Sequence, residues 1–259
     1  MGFADLLANA TGLKDGFRLS VPETWYQGRT AYGGFSTALA LSAAMRADGE
    51  LPPLRSAQVS MIAPVNGDVE ARARVVRRGR NATWVFAEIA GESGVGFTAS
   101  FVFMGPVESS VHLNDRPAPN GLIPPEEASA LSRVRGAVFL RNHFDVRFAL
   151  PRSAEKRPEM CWWLRLRDAT GLDPMVGLIL CADGLPPGVM PLLSPTVPVS
   201  TMHWQVNLLT VTPATRDGWW LLRSTGDYAE QGCSSQRMAI WNSDGQPMLA
   251  GLQSVALFG

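Results

Sequence analysis

The sequence predicts an α+β protein made of two consecutive copies of one unit, each an antiparallel sheet wrapped around a single buried helix. Three observations predict it. Two apolar segments, 35–47 and 172–184, have the composition of helices without a polar face. A run of strand-like segments follows each of them, and a stretch rich in proline, serine and charge, 108–140, lies between the two sets. The expected organisation is an N-terminal unit over 1–107, a linker over 108–140 and a C-terminal unit over 141–259.

In the first unit, Phe17 to Tyr26 reads as a strand, followed by Gly28-Arg29-Thr30-Ala31-Tyr32-Gly33-Gly34. FSTALALSAAMRA, residues 35–47, is rich in alanine and leucine and forms a helix readily. Small and apolar residues occupy every face of it, so it belongs inside the protein. At ~13 residues it is a core helix and not a membrane span. LRSAQVSMIAPV, VEARARVVRRG, TWVFAEIAG and GFTASFVFMG follow as strands. Val69, Ala71, Ala73 and Val75 alternate with Glu70, Arg72 and Arg74, the period of a half-buried antiparallel strand.

The second unit repeats the pattern. HFDVRFAL and CWWLRLRD are strands, and LDPMVGLILCADG is the second buried helix, with Asp173 as N-cap and Pro174 in its first turn. STMHWQVNLLTV, WWLLRSTGDY, SQRMAIWNS and MLAGLQSVALFG complete the set. The pairs Trp162-Trp163 and Trp219-Trp220 each turn one indole inward and one outward, which suits packing of the core or of a dimer interface better than binding the apolar chain of a ligand. Two strands match in phase: Ser56, Gln58 and Ser60 alternate with apolar residues as His203, Gln205 and Asn207 do, offset by 203 − 56 = 147 residues. The endings GFTASFVF and GLQSVALF match as well.

Composition narrows the function. The chain of 259 residues is 46% hydrophobic, enough for a sizeable core, with 23 basic and 23 acidic residues and a net charge of zero. No basic patch or tail marks a nucleic-acid partner, so a small, partly apolar ligand is expected. The start, MGFADLLANATGLKDGF, lacks the basic and continuously apolar pattern of a signal peptide, and Leu6 breaks a myristoylation motif. No segment reaches the ~18 uninterrupted apolar residues of a membrane span. Cys161, Cys181 and Cys233 are odd in number and widely spaced, which fits buried free thiols and a cytoplasmic location better than disulfides or a metal site.

These segments resemble the bacterial acyl-CoA thioesterase II family. The resemblance rests on Gly28-Arg29-Thr30-Ala31-Tyr32-Gly33-Gly34 and the helix after it, Leu54-Arg55-Ser56 with Pro64, and Arg78-Gly79-Arg80. It extends to Trp220-Leu221-Leu222, to Trp241-Asn242-Ser243-Asp244-Gly245 and to Gln253 in the last strand. It covers nearly the whole chain in order and implies a tandem (double) hotdog fold, two sheets each wrapping a helix and packed as a pseudo-dimer. It also implies hydrolysis of acyl-CoA to free acid and CoA, with no metal and no cofactor. In that family an Asp, a Thr or Ser and a Gln hold the attacking water. Gln253, within Gly251-Leu252-Gln253-Ser254, matches the Gln. The Asp is absent: direct reading puts Met202 in its place, strand phase puts His203 there, and His203 is preferred. The Thr falls in Thr225-Gly226-Asp227-Tyr228, one residue short, so Thr225 or Tyr228 takes its place according to the direction of counting.

Thioester hydrolysis needs a polarised carbonyl, a positioned water and an acceptor for its proton. Gly33-Gly34, with Tyr32 beside them, opens the first buried helix, where backbone N–H groups and the positive dipole end suit an oxyanion. His203 suits a general base at neutral pH, and Asp227 or Glu230 is the alternative carboxylate. Gln253 positions water or the carbonyl, since an amide accepts a proton poorly. Arg29 and Arg80, with Arg77 and Arg78, suit the phosphates of CoA.

Two other readings compete. A hydratase on the same fold would need an Asp and His pair near a helix start, which 28–40 and 170–180 lack; no G-x-S-x-G elbow supports a serine nucleophile. A non-catalytic protein that binds acyl-CoA or another apolar ligand, activity lost with the family Asp, is the stronger rival. A homodimer or higher oligomer is expected.

Overall fold

The computed structural model describes residues 1–131, 137–151 and 153–259. The first half comprises α1 (Phe3–Ala8), β1 (Thr11–Leu13), β2 (Gly16–Val21), β3 (Tyr26–Gln27), β4 (Thr30–Ala31), α2 (Gly33–Ala47), β5 (Leu54–Met61), β6 (Gly67–Arg78), β7 (Ala82–Gly91) and β8 (Gly94–Met104). The second comprises α3 (Val138–His143), β9 (Phe144–Phe148), β10 (Glu159–Leu166), α4 (Pro174–Ala182), β11 (Val199–Leu208), β12 (Trp219–Glu230), β13 (Cys233–Asn242) and β14 (Pro247–Leu257).

Among the described residues, twelve strands form one continuous antiparallel sheet in the order β1-β2-β6-β7-β8-β5-β11-β14-β13-β12-β10-β9. Its two halves carry the same order outward from the centre, where β5 meets β11. There Gln58 lies directly opposite Gln205, Ser56 opposite Asn207 and Ser60 opposite His203. Gln58 and Gln205 stand at the offset the sequence repeat predicts, so each occupies its own equivalent position beside a pseudo-twofold axis. This is the tandem hotdog arrangement.

The two central helices lie inside the curve of the sheet and touch each other. From Gly33 to Ala44 every residue of α2 is buried, which explains why the segment has no polar face. In α4, Asp173 accepts hydrogen bonds from the backbone N–H of Met175 and Val176, and Pro174 occupies the first turn, so both expected start signals operate. The helices approach closely at Gly34, where a Cβ would sit 2.9 Å from the Leu180 carbonyl oxygen. The Tyr32 hydroxyl donates to that same carbonyl.

The halves are joined by side chains as well as by the sheet. Tyr32 stacks on Phe139 of α3 with centroids 4.0 Å apart, and Trp25 stacks on His143 at 3.6 Å. Trp162 and Trp220 point into the main core, whereas Trp163 and Trp219 lie on the outer face. That outer face is partly covered, because residues 116–128 lie across it. Ile123 accepts from Trp163 Nε1 at 2.8 Å, Arg116 accepts from Trp241 Nε1 at 2.9 Å, and Ala128 is buried against the sheet. The turn between β13 and β14 is held by Asn242, whose Oδ1 accepts from the N–H of Asp244 and Gln246, with Gly245 at a φ of +77° that glycine adopts freely.

Among the described residues no helix is long and apolar enough to cross a membrane.

Candidate active site

A cleft of about 550 Å³ opens where the start of α2 meets the end of α4 and the last strand. Gly33 and Ser36 of α2, Met61, Ile62 and Phe97 of the first sheet half, Asp183 and Leu185 after α4, Val199 to Thr201 of β11, and Gln253 of β14 line it. It therefore draws on both halves.

Asp183 follows the last residue of α4 and is half-buried, its exposed part facing the cleft. Gln253 Nε2 donates to its Oδ1 at 2.5 Å, and the backbone N–H of Gly34 donates to the same carboxylate. The carboxylate thus stands at the N-terminal end of α2, where the helix dipole favours a negative charge. Burial acts against these contacts and is the larger influence; it raises the acid from an ordinary 3.8 to about 7. Such a group is half-ionised at neutral pH and accepts or returns a proton readily.

Gln253 is buried, and its partners are all fixed. It lies between Gln236 on β13 and Trp204 on β11 in the strand register. Its Oε1 accepts from Gln236 Nε2 at 2.6 Å, and Gln236 Oε1 in turn accepts from the backbone N–H of Gly188 at 2.7 Å. The loop carrying Gly188 is pressed against β12, since a Cβ there would lie 2.5 Å from the Gly226 nitrogen.

Gly33, the first residue of α2, faces the carboxylate: a Cβ on it would run into Asp183 Oδ2 and the Met61 methyl. A side chain at 33 would have to displace one or both of these groups. Gly34 and Tyr32 hold the helix start in place, the tyrosine fully buried with its ionisation pushed well above the usual 10 by burial first and then by Cys181 and Asp183. Arg29 is exposed and lines the cleft mouth, where its backbone carbonyl accepts from Asn66.

Other residues expected at the site lie elsewhere. His203 is exposed on the outer face of β11, with Nδ1 3.2 Å from Ser60 Oγ. The register of β11 against β14 shifts between Thr201 and His203, a bulge at Met202, and His203 faces Ser254 while its neighbour Trp204 faces Gln253. Strand phase counted through this point fails, and the β11 residues that line the cleft are Val199, Ser200 and Thr201. Thr225 pairs with Arg237 and Glu159 in the strand register, on the alternate side from the buried Ser224. Asp227 forms an ion pair with Arg237, 2.7 Å apart, away from the cleft, and Tyr228 and Glu230 are exposed. Arg80 sits in the turn after β6, whose Arg78 pairs with Asp48 at the far end of α2. A 15-residue helix is about 22 Å long, so Arg80 does not share the cleft with Gly33.

Asp183 and Gln236 escape the sequence reading, yet each leaves a mark. Asp183 is the first charge after a wholly apolar helix, and Gln236 stands in the buried phase of its strand between Ser234 and Met238. A larger opening, about 780 Å³, lies on the outer face of the second half beside Trp163, Trp219, Arg147 and Arg165. It contains none of the cleft residues, and the carboxylate raised toward neutrality is in the smaller one.

Fold and site define a double hotdog protein with a carboxylate and an amide at the start of a central helix. Profiles for the acyl-CoA thioesterase N-terminal domain and the acyl-CoA thioesterase C-terminal domain match residues 21–104 and 107–257. The chain belongs to the acyl-CoA thioesterase family. Solved structures agree on the fold. A hot dog fold protein of unknown function from Alicyclobacillus acidocaldarius superimposes with a TM-score of 0.87 at 20% identity, covering 100% of this chain and 99% of that one. A putative thioesterase II from Thermobifida fusca gives 0.81 at 21% identity (98% and 97% covered), and the acyl-CoA thioesterase II TesB2 of Mycobacterium marinum gives 0.77 at 17% (98% and 97%). A search of curated proteins found no match.

Proposed function

We propose that this chain hydrolyses an acyl-CoA thioester in the cleft between Gly33 and Gln253, with Asp183 as general base. The observation that carries the proposal is the Asp183 carboxylate, which faces the cleft, receives the Gln253 amide and is raised to about 7. A family Asp on β11 is not needed if this carboxylate accepts the proton.

In this reading a water held by Asp183 and the second N–H of Gln253 attacks the thioester carbonyl. Asp183 takes the water's proton as the C–O bond forms, and the oxyanion meets the N-terminal turn of α2 at Gly33. Collapse breaks the C–S bond, the thiolate of CoA leaves, and Asp183 returns the proton to sulfur. Metal is not required by any step. Met61, Ile62, Phe97, Leu185 and Val199 offer apolar surface to an acyl group, and Arg29 at the mouth offers charge to a phosphate. Cys161 and Cys181, buried and unpaired with thiols pushed up to about 12 by burial, support a reducing, cytoplasmic setting.

The test is release of free CoA thiol across short, medium, long and aromatic acyl-CoAs by the wild-type protein and Asp183→Asn. Turnover that disappears in the variant supports the reading. Turnover that persists in the variant overturns it, and binding by calorimetry with no turnover assigns the chain to the non-catalytic class.

A further inference from the structure

The amides of the site form a chain with one direction. A backbone N–H can only donate, so Gly188 dictates that Gln236 turns Oε1 toward it. Gln236 must then present Nε2 to Gln253, which answers with Oε1 and is left with Nε2 toward Asp183. Each link follows from the one before, and the assignment of oxygen and nitrogen in both side chains is settled by an anchor that cannot flip.

We propose that Gln236 is a positioning residue of this cleft: anchored by Gly188, it locks the Gln253 amide with its donor toward Asp183. The inference rests on the reading of Asp183 and Gln253 as the working pair. Turned the other way, Gln253 would aim Oε1 at the carboxylate, and two acceptors would meet unless Asp183 held a proton. The base would then be occupied at the pH where it is needed. Gln236 itself touches neither the cleft nor a reacting atom. It is 1% exposed, on a strand whose inward neighbours Met238 and Ile240 are apolar, so packing alone would be served by a residue such as methionine. The other titratable groups packed around Asp183 are Tyr32 at the head of α2 and Cys181 in α4, both uncharged through neutral pH, and the charged group at the cleft mouth is Arg29. Burial raises the carboxylate's proton affinity, and the amide chain, beside the Gly34 N–H, is the side-chain contact that opposes it.

The experiment is a carbon-13 NMR titration of the Asp183 carboxyl in the full chain, for wild type, Gln236→Met and Gln236→Glu, with thioesterase pH profiles in parallel. In Gln236→Met the Asp183 midpoint rises by about one unit, tenfold in proton affinity, and the pH at which the rate develops rises with it. In Gln236→Glu the introduced carboxyl, while protonated, reproduces the donor to Gln253, so wild-type behaviour persists at low pH and is lost as that carboxyl ionises. A purely structural role would move the rate or the melting temperature and leave the midpoint where it is. A wild-type midpoint in Gln236→Met overturns the proposal. If that variant does not fold, a wild-type titration of Asp183 in Gln236→Glu across the whole range overturns it instead. Should Asp183→Asn keep full turnover, the functional reading fails. Should Asp183→Asn lose turnover while Gln236→Met leaves the midpoint unmoved, only the role of Gln236 falls.

Discussion

Asp183, one residue beyond the end of α4, accepts a hydrogen bond from the backbone of Gly34 in the first turn of α2. A carboxylate from the second half thus caps the central helix of the first. The contact stabilises the charged form through the helix dipole, while burial opposes it more strongly, and a proton is held near neutrality. Asparagine keeps the shape and removes the basicity. Asp183→Asn is expected to lower turnover by about 100-fold or more, in the range of general-base losses, with an unchanged circular dichroism spectrum. Steady-state release of CoA thiol checks it.

The pH dependence has two signs. With Asp183 as the proposed base, turnover needs the ionised carboxylate, so the rate should rise with pH through about 7. Stability runs the other way. The folded acid is raised above its unfolded value of 3.8, so its contribution is full below about 4 and is lost as pH rises to about 7. Allowing for its exposure to cleft water, the loss should be on the order of 2 kcal/mol. Urea titrations at pH 5 and pH 8 should show Asp183→Asn gaining more relative to wild type at the higher pH.

Gln253→Ala tests the amide directly. It removes the donor to Asp183 and leaves Gln236 Nε2 without a partner in a buried strand row. Most activity should be lost, with a destabilisation of about 1–3 kcal/mol from the unsatisfied amide. Full activity in this variant would show that Gln253 has no part in turnover.

Gly33→Ala probes the closeness of helix and carboxylate. The added methyl meets Asp183 Oδ2 and the end of Met61; the methionine is flexible and can yield, whereas the carboxylate is tied to Gln253 and Gly34. The protein should fold with a cost of about 1–3 kcal/mol, typical of overpacking, and lose catalysis out of proportion to that cost. Comparing kcat/KM with thermal unfolding separates the two effects.

The fold is legible in the sequence because its determinants are local and periodic. The α2 segment has no polar face, Asp173 and Pro174 announce α4, and the matching phases of β5 and β11 place Gln58 against Gln205 across the sheet centre. Of the proposed site, the sequence marks only the parts where a motif sits on a rigid element, at Gly33, Gly34 and Gln253, which lie in or beside the cleft. Asp183 reaches the cleft because α2 and α4 pack together at Gly34, where Tyr32 meets Leu180 from 148 residues further along the chain. No spacing in the sequence encodes that approach. Gln236 becomes meaningful only when Gly188, Gln253 and Asp183 are aligned with it.

His203 shows how a single extra residue redirects a reading. Alternation along β11 predicts that the histidine replaces a catalytic carboxylate, but the bulge at Met202 changes the phase, and the ring lies on the exposed face beside Ser60. The inward residue is the next one, Trp204, opposite Gln253. A group on the far side of a sheet cannot reach a water held at Asp183, because the strand backbone and its hydrogen bonds stand between them. His203→Ala is therefore expected to keep kcat/KM within about twofold of wild type and to leave the rise in rate near pH 7 in place, as surface changes away from a site usually do. Recording the full pH profile for this variant beside Asp183→Asn decides which group titrates. Loss of the neutral-pH rise in His203→Ala, with the rise retained in Asp183→Asn, would return the base to β11.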